Sequence, residues 1–195
     1  MSAPEASLEA VLAPGRHAAH TDDPVRIALR RCDLVHLTAR RDRGTDLEKA
    51  VRGALHLELP EPGYASNGGS LAALWLQPNA WMLVAPSTEE GEFARTTKDA
   101  CGAAGSVADQ THGRTVLTLS GRHARRVLAK LCRLDLHPRA FTPGRVATTR
   151  MAEITCTLHQ RDETPSYDLI VSSTYAAHFA AALTHAAAEL GYETA

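Results

Sequence analysis

The sequence has few of the features that mark secreted, membrane-spanning or nucleic-acid-binding proteins. Its 195 residues include four cysteines, which are widely spaced and form no CxxC pair. This usage predicts reduced thiols in a cytoplasmic protein instead of a disulfide framework. The net charge of −1 gives no global field that would gather nucleic acid or anionic membrane. No apolar run approaches the ~20 residues of a membrane span, and residues 1–13 do not have the pattern of a signal peptide.

Motifs of nucleotide binding and of ester hydrolysis are also missing. The chain contains no GxGxxG, no GxxxxGK[ST] and no GxSxG. The sequence therefore lacks the glycine-dependent backbone geometry that is required for binding of dinucleotides or nucleoside triphosphates and for α/β-hydrolase chemistry. Asp109 and Asp168 could each serve as a base, but single aspartates at strand ends are usually turn or capping residues. We assign no catalytic, cofactor-binding or metal-binding residue from the sequence.

The ten histidines raise the question of a metal site. His178 and His185 should share a face of the last predicted helix, but seven residues correspond to about 10 Å of axial rise. Donors to one ion must each lie ~2 Å from it. We therefore expect both side chains to face solvent, and neither His112 nor His159 has a partner that the sequence identifies.

Strand and helix signals alternate along the chain and predict an α+β fold with mainly antiparallel sheets. Residues 1–24 are predicted to form a mobile N-terminal segment, and residues 25–195 a single α+β domain. If that domain contains two subdomains, residues 60–70 are the expected join, because two prolines and three glycines fall within this stretch. Over residues 81–160 the order strand, helix, strand, strand, helix, strand indicates ferredoxin-like split βαβ elements.

The stretch Arg114–Arg145 combines a strand, a sharp turn, a basic helix and an unusual loop. Apolar residues recur at helical spacing from Ala124 to Leu131, so one face of the helix should pack on a sheet. Such basic runs are ordinarily the solvated face of a helix. The residues on this basic face are Arg122, Arg125, Arg126, Lys130 and Arg133.

The loop after this helix is the candidate partner interface, formed by His137, Pro138, Arg139 and Phe141. Proline disfavours helical geometry in the residue before it, so the loop can present a ring, a planar cation and a hydrophobic anchor. In the alternative interpretation, His137 caps the end of the helix and Phe141 belongs to the core. We favour a mixed arrangement, in which Phe141 is buried and Arg139 faces a partner.

Three segments of the sequence resemble the gamma subunit of heterotetrameric sarcosine oxidase. They are RTVLTLSGRHARRVLAKLCRLDLHPRAFTPGR at 114–145, LWLQPNAWMLV at 74–84, and PSYDLIV at 165–171 leading into STYA. The resemblance covers most of the chain from about residue 71 onward. It implies a fold like the folate-binding domain of the glycine cleavage aminomethyltransferase.

The resemblance also implies a function, which we state as an expectation. The chain would be a non-catalytic structural subunit of a complex that oxidatively demethylates sarcosine to glycine with tetrahydrofolate as one-carbon acceptor. FAD, FMN, NAD, tetrahydrofolate and zinc would be held by other subunits. Its partners would be the alpha, beta and delta subunits, with the large folate-binding alpha subunit contacted directly, and neither nucleic acid nor membrane.

Two alternatives remain open at this point. One is a free-standing folate-binding or aminomethyltransferase-like protein. The other is the equivalent subunit of a related dehydrogenase or oxidase acting on another N-methyl amino acid.

Overall fold

Twelve strands and five α-helices are found in the part of the chain that the structure describes. The structure is a computed structural model and describes residues 7–17 and 22–195. The strands are β1 (Gly15–His17), β2 (Val25–Arg30), β3 (Cys32–Ala39), β4 (Ala65–Gly68), β5 (Leu71–Gln77), β6 (Ala80–Pro86), β7 (Gly105–Asp109), β8 (Arg114–Ser120), β9 (Val146–Met151), β10 (Ile154–Asp162), β11 (Ser166–Ser172) and β12 (Tyr192–Thr194). The helices are α1 (Leu8–Val11), α2 (Gly44–Leu55), α3 (Glu92–Cys101), α4 (Ala124–Ala129) and α5 (Ala176–Ala187).

The chain divides into two compact units. The first, the seven-stranded unit, comprises the described residues of Met1–Arg30, Thr115–Pro143 and Thr148–Ala195. The second, the five-stranded unit, comprises Arg31–Arg114 and Gly144–Ala147.

The predicted join at residues 60–70 is wrong in position. These residues lie inside the five-stranded unit, where β4 occupies part of the stretch, and the chain changes unit at residues 30/31, 114/115, 143/144 and 147/148. Proline and glycine mark irregular backbone. Here the irregular backbone leads into β4, which is an edge strand of the five-stranded sheet.

The five-stranded unit is a ferredoxin-like split βαβ domain with one added edge strand. Its sheet has the order β4-β5-β6-β3-β7, and every neighbouring pair is antiparallel. The elements β3, α2, β5, β6, α3 and β7 follow one another in the order of that motif. Leu47, Val51 and Leu55 recur every four residues, so they line one face of α2 and are buried in the core with Phe93 of α3.

The seven-stranded unit repeats the same succession with an inserted strand. Its sheet has the order β1-β12-β2-β8-β11-β10-β9. The elements β8, α4, β10, β11, α5 and β12 supply the split βαβ succession, and β2 lies between β12 and β8. β2 is parallel to β12 and antiparallel to β8. Phe179 and Leu183, four residues apart on α5, are fully buried.

The predicted fold class is confirmed, but the 81–160 window is not one motif. In that window, β6, α3 and β7 belong to the five-stranded sheet, whereas β8, α4, β9 and β10 belong to the seven-stranded sheet. The reason is long-range pairing: β7 pairs with β3, and β8 pairs with β2. The window therefore takes the second half of one motif and the first half of the next.

The N-terminal prediction is corrected where the structure describes it. Residues 8–11 form α1, whose Ser7 hydroxyl accepts a hydrogen bond from the amide of Ala10 at 3.2 Å. Residues 15–17 form β1, which pairs antiparallel with β12. Regular hydrogen-bonded structure thus replaces part of the predicted mobile segment, while residues 1–6 and 18–21 lie outside the described residues.

Candidate partner interface

Arg125 organises the loop that carries the predicted interface residues. Its Nη1 donates to the carbonyl oxygen of Leu136 at 2.6 Å and to that of Phe141 at 3.1 Å. Its Nη2 donates to Oε1 of Gln160, a fully buried side chain of β10, at 3.2 Å. Since one guanidinium binds carbonyls at both ends of residues 136–141, it fixes the path of the loop between them.

Arg125 also lies over the ring of Tyr167, with 5.8 Å between the guanidinium carbon and the ring centroid. Tyr167 is fully buried. Burial raises the pKa of Tyr167 to about 12, against an opposing effect of the Arg125 charge. The sequence grouped Arg125 with the solvated basic face, and this assignment is wrong because α4 turns Arg125 towards β10 and β11.

The four predicted interface residues separate into one buried and three exposed side chains. Phe141 is 2% exposed and belongs to the core. His137, Pro138 and Arg139 are exposed. Nδ1 of His137 accepts a hydrogen bond from the Arg139 amide at 3.2 Å, and the His137 amide donates to Oδ1 of Asp135 at 2.9 Å.

These contacts decide between the two interpretations of the 137–141 loop. His137 bonds within its own loop and does not cap α4, whereas Phe141 is a core residue. The arrangement that the sequence favoured, with Phe141 buried and Arg139 exposed, therefore describes the burial correctly. Contact between Arg139 and another chain stays a prediction.

The rest of the basic face is exposed, and part of it is tied to the end of α5. Nζ of Lys130 donates to the carbonyl oxygen of Ala186 at 2.7 Å and lies 2.8 Å from a carboxylate oxygen of Glu189. Hydrogen bonding and charge from Lys130 lower the pKa of the exposed Glu189 side chain. Arg126 lies 4.0 Å from the same carboxylate, at the edge of ion-pair range. An exposed pair of this kind contributes little to stability.

A second charged cluster lies on the paired strands β10 and β11, and the sequence did not reveal it. Asp168, 2% exposed, is directly opposite His159 in the register of these strands. Arg30 of β2 forms an ion pair with Oδ2 of Asp168, and Nδ1 of His159 lies 3.9 Å from the same oxygen. Arg161 lies 3.8 Å from Oδ1, which makes no hydrogen bond in the described part of the chain.

The expectation that Asp168 is a turn or capping residue is therefore wrong, because Asp168 is in the interior of β11 and is a buried member of an ion-pair network. Arg30 precedes Asp168 by 138 residues in the sequence. Their ion pair could therefore be recognised only from the order and register of the strands. Asp109 does act as predicted, since its Oδ1 accepts a hydrogen bond from the Thr111 amide at 2.9 Å in a turn.

The other histidines considered in the sequence form no further candidate site in the described residues. His178 and His185 are both exposed, as expected from their helical positions. His112 is exposed and lies 3.7 Å from Glu90. Within residues 7–17 and 22–195, no three His, Cys, Asp or Glu side chains are grouped so that they could hold a metal ion. No helix in these ranges has the length and apolar character needed to cross a membrane.

Comparison with protein families identifies the chain's relatives. The model of the "Sarcosine oxidase, gamma subunit family" matches residues 42–189. The chain belongs to the sarcosine oxidase gamma subunit family. The resemblance found in the sequence, including the segment with Arg125 and Phe141, is thereby confirmed.

Curated members of the family are similar over part of their length. The sarcosine oxidase subunit gamma of Arthrobacter sp. is 37% identical over 124 residues, which are 62% of this chain and 60% of that protein. The subunit of the same name from Corynebacterium sp. (strain P-1) is 41% identical over 99 residues, or 50% of this chain and 48% of that protein. The match thus spans about half to three-fifths of these relatives.

Solved structures extend the similarity to nearly the whole chain. A chain of the heterotetrameric sarcosine oxidase from Corynebacterium sp. U-96, in complex with pyrrole 2-carboxylate, matches with a TM-score of 0.77 and 29% identity, covering 89% of this chain and 88% of that one. The glycine cleavage system aminomethyltransferase T from Bartonella henselae matches with a TM-score of 0.59 and 18% identity, covering 86% of this chain and 46% of that one. The second similarity shows the fold alone, and it confirms the predicted likeness to the aminomethyltransferase.

Proposed function

We propose that this chain is a non-catalytic, structural gamma subunit of a heterotetrameric sarcosine oxidase. The proposal rests on a structural match that covers 89% of this chain and 88% of one chain of such an enzyme. The family match over residues 42–189 supports the same role. The function is that of an accessory subunit of an oxidoreductase.

The proposed complex converts sarcosine to glycine by oxidative demethylation and passes the one-carbon unit to tetrahydrofolate. Its FAD, FMN, NAD, tetrahydrofolate and zinc are held by the other subunits, which are alpha, beta and delta. The large folate-binding alpha subunit is the direct partner of this chain. A cytoplasmic location belongs to the same proposal, and it is supported by four cysteines that are all free thiols.

The geometry of the chain supports a structural role. Arg125 and Asp168 are the centres of two polar clusters, and both side chains are engaged within the chain. Asp168 is 2% exposed, so a substrate in solution does not reach its carboxylate. Both clusters therefore act to fix the fold.

A free-standing folate-binding function has less support. The similarity to aminomethyltransferase T is at 18% identity, and likeness of fold at that level does not transfer a ligand. Titration of the purified chain with tetrahydrofolate by calorimetry separates the two functions. Our proposal predicts no saturable binding by the chain alone, and saturable binding would favour the free-standing function.

Isolation of the tagged chain from its own host tests the proposed partners. The chains that remain bound after washing are identified by mass spectrometry. We expect alpha, beta and delta subunits together with the tagged chain. A tagged chain that is recovered alone, folded and monomeric would contradict the proposal.

A further inference from the structure

Arg145 and Tyr64 form a stacked pair at the surface of the five-stranded unit. The guanidinium carbon of Arg145 lies 4.7 Å from the centroid of the Tyr64 ring. Tyr64 is one of three large hydrophobic residues with high exposure among the described residues, at 42%. An arginine stacked on a tyrosine has its planar group held in one orientation by contact with the ring face.

The backbone around this pair holds it in place. The amide of Val146 donates to the carbonyl of Gly63 at 2.8 Å, and the amide of Ala65 donates to the carbonyl of Gly144, also at 2.8 Å. These bonds bracket a bridge between Tyr64 and Arg145. Gly63 has φ of +80°, and a Cβ atom there would lie 3.3 Å from Nη1 of Arg145, so the glycine leaves room for the guanidinium.

The charge of Arg145 is not neutralised by the part of the chain that the structure describes. No carboxylate in residues 7–17 and 22–195 lies within ion-pair distance of its guanidinium, and its side chain makes no hydrogen bond to these residues. Its Nε is buried and without an acceptor. Arg126, by comparison, has a nearby carboxylate at its solvent-exposed position.

A guanidinium that is fixed, half-buried and without an acceptor is suited to bind a carboxylate. The planar fork matches two carboxylate oxygens, and such charge-assisted bonds are about twice as strong as neutral ones. Arginine and tyrosine are also among the residues enriched where protein interfaces carry most of their energy. We propose that Arg145, stacked on Tyr64, binds an aspartate or glutamate side chain of a partner subunit.

A protein carboxylate fits this site better than a free anion. One guanidinium supplies only a single fork, which suits an acidic side chain that the rest of an interface already holds nearby at high effective concentration. This inference rests on the proposed function, because it names a contact that the gamma subunit makes with its complex.

The replacement R145K converts the proposed contact into one that can be detected chemically. Lysine keeps the positive charge and supplies a primary amine, which a carbodiimide couples directly to a carboxylate in contact with it. The tagged variant is co-expressed with the other subunits, and the purified complex is treated with carbodiimide and digested. We expect a cross-linked peptide that joins position 145 to an aspartate or glutamate of another subunit.

Two further variants and a control complete the test. R145A should lower the amount of partner recovered after washing by about tenfold, the loss typical of an interface residue of this kind. Y64A should lower it by about two- to fivefold, since the stacking is lost and the charge remains. R95K is the matched control, because Arg95 is an exposed arginine of α3 in the same unit, and no carboxylate among the described residues lies within ion-pair distance of it. Circular dichroism of each variant checks that it is folded.

The outcomes separate this inference from the proposed function. If the wild-type chain recovers no partner subunits, both are wrong. If it recovers them, while R145K gives no link to another chain and R145A assembles like R95K, the subunit role stands and the Arg145 contact is wrong. A link from position 145 to a carboxylate of its own chain, such as Glu61, would also overturn the contact.

Discussion

Replacement of Arg125 by alanine is expected to destabilise the protein far more than the same change at its neighbour Arg126. Arg125 donates to three acceptors, the carbonyl oxygens of Leu136 and Phe141 and the side-chain oxygen of Gln160. All three acceptor residues are buried. A buried acceptor left without a donor costs about 1–3 kcal/mol.

The expected size of the effect follows from these contacts. Arg125 is half-buried, so water entering its place can satisfy part of the loss, and we take the low end of about 1 kcal/mol for each acceptor. The free energy of unfolding should then fall by about 3 kcal/mol in R125A. In R126A it should fall by no more than about 0.5 kcal/mol, because Arg126 is exposed and reaches its carboxylate only at 4.0 Å.

Urea unfolding of the full chain, followed by circular dichroism, measures this difference. Hydrogen exchange gives a local readout, since the amides of Ala140 and Phe141 donate to His137 inside the loop that Arg125 closes. R125A should speed exchange at both amides, and R126A should not. Equal stability of the two variants, or unchanged exchange in R125A, would refute the assigned role of Arg125.

Three further predictions concern other parts of the chain. D168N should lower the free energy of unfolding by about 3 kcal/mol in urea titrations, because loss of one partner from a buried ion-pair network leaves the other charges uncompensated. A change below about 1 kcal/mol would contradict the network. Burial and the charge of Arg114 lower the pKa of His36 below its usual value of 6.5, so the stability that His36 contributes is present above about pH 6.5 and lost as the pH falls. The variant H36Q should therefore lose less stability than the wild type between about pH 7.5 and 5. Parallel pH profiles of the two proteins would argue against this. G68A should destabilise, since a Cβ at Gly68 would overlap a backbone carbonyl and lie 3.1 Å from a neighbouring Cα, whereas G53A, in a helix with nothing within 4 Å of the new Cβ, should stabilise by about 0.5–1 kcal/mol in the same assay.

Elements with local sequence signals were predicted well. The last helix, on which His178 and His185 were expected to face solvent, is α5, and both side chains are exposed. The basic helix, which the spacing of apolar residues from Ala124 to Leu131 predicted, is α4, and its Val127 and Leu128 are buried. Hydrophobic periodicity and turn residues carry this information within a short window.

Long-range relations could not be predicted in the same way. Periodicity shows that a segment is a strand but not which strand it pairs with, so β7 and β8 were placed in one motif although they belong to different sheets. For the same reason the opposition of His159 and Asp168 was missed.

Residue type alone also failed to separate side chains on α4. Arg125 and Arg126 are adjacent and chemically identical, yet the first binds acceptors 11, 16 and 35 residues away and the second is solvated. Their difference depends on where the loop and β10 lie in the folded chain. The exposed and buried sides of the 137–141 loop were predicted correctly because proline and phenylalanine have strong local preferences.

The central claim is that this chain works as a structural subunit and has no activity of its own. It is tested most directly by native mass spectrometry of the purified complex, combined with assays of sarcosine oxidation by the complex and by the isolated chain. We expect this chain in the intact heterotetramer, turnover by the complex, and none by the chain alone. An active sarcosine oxidase from the same host that lacks this chain, or turnover by the isolated chain, would contradict the account.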